Sequence, residues 1–270
     1  MNNKIDCTKI YNRILKNIQY DMKNINKPES MVVYFATDNY ATHKYIELKK
    51  KTFVECGIDM KVFDVRDESN ETDIRESYYC PYIMQLPFED EEFYDSINYN
   101  SSGIDLDAFY TTREYIERLD ISDMLPATVQ AVLEILKQEI GDITGKKIAV
   151  VGCRSKTVGK FLGDIFLNKN ATVSLYHSKS IIKDNEFEGY DVVISCVGKH
   201  GLISQKHFGN TTGCVCIDVG ISRGEDGRPK GDFDTDIREH QRYTPYVNGV
   251  GLLTRICLAR NYILSQLYKM

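Results

Sequence analysis

The sequence predicts an α/β protein of two domains, an N-terminal α/β domain and a Rossmann-like domain on a parallel sheet. Three observations lead there. Short apolar runs alternate with helix-period segments, the β-α-β order that builds parallel sheets. One such run, Lys147-Ile148-Ala149-Val150-Val151, drives into Gly152, a polar turn and a second glycine, Gly159, that opens a new periodic segment. That strand–turn–helix layout holds a nucleotide pyrophosphate. It begins near the middle of the 270 residues, so a whole domain precedes it.

The elements follow in order. Ile10, Tyr11, Ile14, Leu15 and Ile18 give a helix over 5–22. Met31 to Ala36 is a buried strand. Asp38 or Thr42 caps a helix that Gly57 stops, and Met60 to Phe63 is the next strand. Residues 65–78 are polar and weakly periodic. Tyr82 to Pro87 reads as a strand ending at proline, and 89–103 as an acidic loop with room for a short helix. Thr128 caps a helix through Glu139, and Gly141 to Gly145 turn into the nucleotide unit. There the helix is 158–169, the strands are 171–176, 191–195 and 214–219, and 220–236 is a loop. The chain closes on an amphipathic helix over 252–268.

Composition is that of an ordinary globular chain, 42% hydrophobic and 27% charged, with a net charge of −5. A negative balance disfavours a nucleic-acid partner. No apolar run approaches the ~18 residues of a membrane span, and the start, Met1 to Asp6, lacks a signal-peptide core. The eight cysteines form no CxxC pair, so they read as reduced, mostly buried thiols of a cytoplasmic protein with no metal centre. Cys214 and Cys216 alternate within an apolar run and face one side of a strand.

Five motifs carry chemistry. Tyr45 and Lys49, at i and i+4, share a helix face. Lys49 can exchange protons near neutral pH if burial lowers its pKa; taken alone, within Lys49-Lys50-Lys51, it reads as a solvated lysine. Met84-Gln85-Leu86-Pro87 closes a strand where ligands of open sheets gather, and Gln85 can bond the lysine amine or simply begin a loop. Asp105 and Asp107 flank Leu106, able to hold the N–H groups of a heterocycle or to form a plain acidic loop. In the nucleotide turn, Arg154 suits a ribose phosphate, and His177-Ser178-Lys179-Ser180 offers no acidic side chain for a free 2′-hydroxyl. Thr244 to Thr254 is a glycine-bearing loop entering the last helix, or a helix start with turn glycines.

Together and in order, these motifs resemble the bifunctional methylenetetrahydrofolate dehydrogenase/cyclohydrolase family. That family carries Tyr-Val-x-x-Lys-x-Lys, Val-Gln-Leu-Pro, Lys-Asp-Val-Asp-Gly-Phe, Pro-Cys-Thr-Pro, Val-Val-Gly-Arg-Ser-x-x-Val-Gly-Lys-Pro, Cys-His-Ser and Pro-Gly-Gly-Val-Gly-Pro-Met-Thr. The resemblance implies a folate-binding domain over 1–125 plus 251–270 and a Rossmann domain over 126–250, with a cleft between them. It implies a homodimer acting on one-carbon tetrahydrofolate derivatives with NADP. Tyr45, Lys49, Gln85 and Asp107 carry over as the catalytic group, with Tyr45 stacking on the folate and Gln85 tuning the lysine. Met84, Leu86, Val247, Gly249 and Gly251 carry over as further substrate contacts. Gly152, Arg154, Ser155, Gly159, His177, Ser178, Gly198, Ile221 and Thr254 carry over as dinucleotide contacts.

The chain departs from the pattern at several points. Ile104 and Ala108 replace a lysine and a glycine, and Pro126-Ala127-Thr128-Val129 stands for Pro-Cys-Thr-Pro. Cys153 reads as an extra residue in the nucleotide turn, which leaves a monofunctional NAD-dependent methylenetetrahydrofolate dehydrogenase as a first alternative. Asn248 replaces a glycine and Leu252 a proline. The stretches Gly57 to Gln85 and Phe109 to Pro126 are shorter than the family's, which leaves a folate- or nucleotide-binding protein without turnover as a second alternative.

Overall fold

The computed structural model describes residues 3–108, 124–155, 157–223 and 227–267; Lys156 and the stretch from Phe109 to Asp123 lie outside them. The chain divides into two units. One holds Asn12 to residue 108, residues 124–127 and the chain from Arg255 onward; the other holds the start through Tyr11 and Thr128–Thr254.

In the first unit, three parallel strands are ordered β2-β1-β3: β1 (Met31–Phe35), β2 (Met60–Asp64) and β3 (Tyr82–Met84). Every residue of β1 is buried, as expected of a central parallel strand covered on both faces. Helix α1 (Cys7–Met22) precedes it and α2 (Tyr40–Cys56) links β1 to β2. Gly57 ends α2 in the left-handed conformation (φ 77°), as its sequence position implies. The cap at the other end is neither Asp38 nor Thr42. Asn39 does it, accepting the Ala41 N–H at 2.8 Å, while Asp38 accepts from Arg66 and Thr42 is buried within the helix. The weakly periodic stretch contains a short helix, α3 (Glu71–Glu76), and α4 (Glu91–Asn100) occupies the acidic segment. The strand expected over Tyr82 to Pro87 ends at Met84, which leaves Gln85 free of the ladder on one side. Tyr34, Phe63, Tyr82, Met84 and Ile97 form the aromatic-rich core.

The second unit takes in all but the first residue of α5 (Ala127–Glu139), which begins one residue before the expected Thr128 cap. Its five parallel strands are ordered β10-β7-β6-β4-β5. They are β4 (Lys147–Val151), β5 (Thr172–Tyr176), β6 (Val192–Ser195), β7 (Val215–Asp218) and β10 (Arg242–Tyr243). Helix α6 (Gly159–Asn168) joins β4 to β5. Strand β4 lies between β5 and β6, so the chain reverses direction across the sheet there, and ligands of such sheets bind at that switch. The stretch taken as a loop over 220–236 contains a hairpin, β8 (Ile221–Arg223) with β9 (Pro229–Gly231), because three ladder pairs outweigh its glycine-rich composition. Strand β10 has only two residues, too short for a sequence pattern. Cys214 and Cys216 sit in one core cluster with Val193, Phe187 and Phe208. All described cysteines are free thiols. Helix α7 (Val250–Leu267) closes the chain, and among the described residues no helix is long and apolar enough to cross a membrane.

Two departures from the family pattern fall on left-handed backbone: Ala108 at φ 55° and Asn248 at φ 58°. These are positions where glycine costs nothing and asparagine is the next best residue. Asn248 is exposed, so its substitution reports backbone strain alone. Asn248→Gly should leave stability within about 0.5 kcal/mol, while Asn248→Val should lower it by about 1–2 kcal/mol; urea unfolding of the pair measures the difference.

Candidate active site

In the first unit, the helical repeat of α2 brings Tyr45 and Lys49 to one face, with the Lys49 ammonium 5.3 Å from the Tyr45 ring centroid. Lys49 is only 3% exposed. Its Nζ donates to Gln85 Oε1 at 2.7 Å. Gln85 is held from both ends: its backbone N–H donates to the Tyr34 carbonyl (2.9 Å), and its Nε2 donates to the Leu86 carbonyl (2.8 Å). With the amide nitrogen so used, the amide oxygen faces the lysine. Met84 is buried one residue before, and Leu86 stands half-exposed one residue after.

Asp107 reaches the same unit by a separate route. Residues 104–106 run beside β3, with Tyr82 N–H donating to the Ile104 carbonyl and Leu106 N–H to the Tyr82 carbonyl. The Asp107 N–H then turns back to Asp105 Oδ1 (3.0 Å), and left-handed Ala108 ends the turn. Asn261 on α7 secures this loop by donating to the carbonyls of Leu106 (2.7 Å) and Leu125 (2.9 Å).

Burial pulls the Lys49 pKa down, with Asp107 and Asp105 pulling it back up. Burial pushes the Asp107 carboxyl up, and Lys49 opposes it. Burial also pushes the Tyr45 phenol up to about 12. Both members of the lysine–aspartate pair are thus displaced toward neutrality, the condition for moving a proton near neutral pH.

The second unit carries a cavity of about 470 Å³ at the switch point. It is lined at the ends of three strands: Gly152, Arg154 and Ser155 after β4, Tyr176, His177 and Ser178 at β5, and Cys196, Val197 and Lys199 after β6. Gly152 has φ 91°, and a Cβ there would lie 2.9 Å from the Cys196 carbonyl oxygen. Backbone at that point can approach a ligand as no side-chain-bearing residue allows. Cys153 lies in the turn, its N–H and that of Gly152 both donating to the Tyr176 carbonyl, and Arg154 lines the cavity wall. His177 Nδ1 accepts the Lys179 N–H (3.1 Å), shaping the turn at the end of β5. None of the described lining residues is acidic, which fits a dinucleotide bearing a 2′-phosphate. Gly159 opens α6 against the Gly152 carbonyl, Gly198 lies in the loop after β6, and Ile221 starts the hairpin, half-exposed. Thr254 is buried on α7, donating to the Val250 carbonyl (3.0 Å). Val247 is exposed, Gly249 packs on the Pro245 carbonyl and Gly251 lies in open space. These last four belong to the second unit, apart from the Tyr45–Lys49–Gln85–Asp107 group.

Sequence reasoning missed what holds the cavity's third wall. Asp232 is fully buried and accepts from Ser195 Oγ (2.6 Å) and from the backbone N–H groups of Val197 (2.9 Å), Gly198 (3.2 Å) and Lys199 (2.7 Å). Asp218, ending β7, accepts in turn from the Asp232 and Phe233 N–H groups (3.0 and 3.3 Å). The one available signal was an aspartate closing an apolar strand. Burial pushes the Asp218 pKa up to about 7, opposed by the Asp232 N–H. The folded state therefore keeps a proton that the unfolded chain, with its carboxyl at 3.8, releases. Stability should fall as pH rises from about 4 to about 7, and Asp218→Asn should remove that contribution. Urea melts across that range check it, and equal slopes in both proteins would contradict it.

The sheet, its switch-point cavity and the glycine turn define a dinucleotide-binding α/β protein with a separate buried lysine cluster. Residues 126–269 match the family model for the tetrahydrofolate dehydrogenase/cyclohydrolase NAD(P)-binding domain, and the chain belongs to that family. Bifunctional protein FolD of Geobacillus kaustophilus is 33% identical over 244 residues, 86% of this chain and 85% of its own. The Malacoplasma penetrans protein of that name is 29% identical, covering 95% of each. The crystal structure of the bifunctional FolD methylenetetrahydrofolate dehydrogenase/cyclohydrolase from Campylobacter jejuni superposes with a TM-score of 0.81 at 28% identity, over 100% of this chain and 98% of its own.

Proposed function

We propose that this protein oxidises 5,10-methylenetetrahydrofolate to 5,10-methenyltetrahydrofolate with NADP and hydrolyses that product to 10-formyltetrahydrofolate. The observation that carries the reading is the buried amine of Lys49 held at 2.7 Å by Gln85 in a chain of this family. Residues 1–125 with 251–270 take the folate, and 126–250 take the dinucleotide. When bound, NADP accepts the hydride of the one-carbon bridge. Gly152, Ser155 and Gly159 hold its pyrophosphate at the start of α6, and Arg154, His177 and Ser178 its ribose phosphate. Gly198, Ile221 and Thr254 complete its contacts.

On the folate, Asp107 accepts from the N–H groups of the pterin and Tyr45 stacks on the adjoining ring. Met84, Leu86, Val247, Gly249 and Gly251 are its further contacts. Once the methenyl carbon is cationic, water can add to it. Lys49, kept from full protonation by burial, takes a proton from that water and passes it on as the ring opens. Gln85 fixes the amine without lending it charge. Family resemblance supports a homodimer in the cytoplasm, which sedimentation and fractionation test.

The first test mixes purified protein with 5,10-methylenetetrahydrofolate and follows absorbance with NADP and, separately, NAD, then acidifies to reveal methenyl product. Reduction of NADP with accumulation of 10-formyl product is expected. Reduction that stops at the methenyl species would remove the hydrolytic role of Lys49, and none with either cofactor would leave a binding protein. Lys49→Met should abolish hydrolysis with a smaller loss of hydride transfer. Because burial lowers the Lys49 pKa, the neutral amine forms below the usual lysine value of 10.5. The hydrolysis rate should therefore climb with pH along a limb whose midpoint lies below that value, a limb absent from Lys49→Met.

A further inference from the structure

Arg255 begins the part of α7 that belongs to the Lys49 unit. It is 8% exposed. Its Nε is sealed from solvent without a hydrogen-bond partner, and no described residue forms an ion pair with it. A guanidinium has five N–H donors and cannot shed its charge. A buried cation left without an anion is a large uncompensated penalty, and proteins ordinarily pair it. None of the described residues pairs it, which leaves the place of the anion open to a ligand.

The place of Arg255 indicates which one. Six residues further along α7, Asn261 holds the Leu106 carbonyl beside Asp107, and six helical residues span about 9 Å. Of the groups in the Lys49 cluster, Tyr45 feels the Arg255 charge. Lys49 is influenced by Asp107 and Asp105, and Asp107 by Lys49. Arg255 thus acts on Tyr45, the residue proposed to stack on the folate beside its heterocycle, and beyond that ring a folate carries its acidic tail. A carboxylate would neutralise the cation, whereas a carbonyl would leave the charge unmatched.

We infer that Arg255 binds a glutamate carboxylate of the folate tail and sets this protein's requirement for a glutamate-bearing substrate. The inference rests on the folate reading above. Calorimetric binding of tetrahydrofolate and of tetrahydropteroate, which lacks the glutamate, tests it in the wild type, Arg255→Met and Arg255→Lys. Arg255→Met should weaken tetrahydrofolate by at least about tenfold, the worth of a charged hydrogen bond, and leave tetrahydropteroate unchanged. Arg255→Lys should restore part of the loss, since the charge returns without the guanidinium fork. The ligand-free Met variant should melt at or above the wild-type temperature, because it sheds an unpaired buried charge, while a merely structural arginine would lower it. Equal weakening of both ligands, or no weakening of either, overturns the Arg255 assignment alone. A wild type that binds neither ligand overturns the folate reading with it.

Discussion

An amine taken out of water keeps its place only if something polar meets it, and the Lys49 unit is arranged around that demand. Gln85 meets the amine with a neutral oxygen at 2.7 Å rather than with a carboxylate. A carboxylate in its position would stabilise the ammonium and raise its pKa, whereas an amide satisfies the hydrogen bond and lets desolvation act. For this the amide must not rotate, and its nitrogen is fixed by the Leu86 carbonyl while its backbone is fixed by β1 through Tyr34. Gln85, just past the end of β3, keeps one backbone bond to β1 while its side chain turns to the amine.

The dinucleotide unit solves the opposite problem, a wall that must stay open to an anion. Its support is acidic but hidden behind the wall. Asp232 spends its oxygens on Ser195 Oγ and three consecutive backbone N–H groups, and the loop after β6 is thereby fixed with its carboxylate absent from the described cavity lining. Negative charge placed on the lining itself would repel a phosphate. The hairpin of β8 and β9 brings Asp232 to that loop.

Much of this was legible in the sequence. Continuous apolar runs gave β1, β4, β6 and β7, and Gly57 marked the end of α2, because burial on both faces and left-handed backbone leave strong local signatures. The i, i+4 pairing of Tyr45 and Lys49 followed from helix period, while the bond from Lys49 to Gln85 was one of two readings of the strand end and was implied only by the family resemblance. The hairpin, two-residue β10, the Asn39 cap and the Asp218–Asp232 pair did not. Each depends on partners distant in sequence or on a choice among adjacent polar residues that propensity does not make. Arg255 was hidden for a similar reason: its residue type says surface, and only packing buries it.

Asn261 carries one more consequence. Its amide ties carbonyls at Leu106 and Leu125, on either side of the stretch 109–123. The length of that stretch is thereby uncoupled from the placement of Asp107, so the chain there can shorten or lengthen between relatives without disturbing the loop. The same bond makes the loop depend on a residue 155 positions later in the chain. During synthesis the strands and α2 emerge first, and the clamp on the Asp107 loop can close only once Asn261 has followed them.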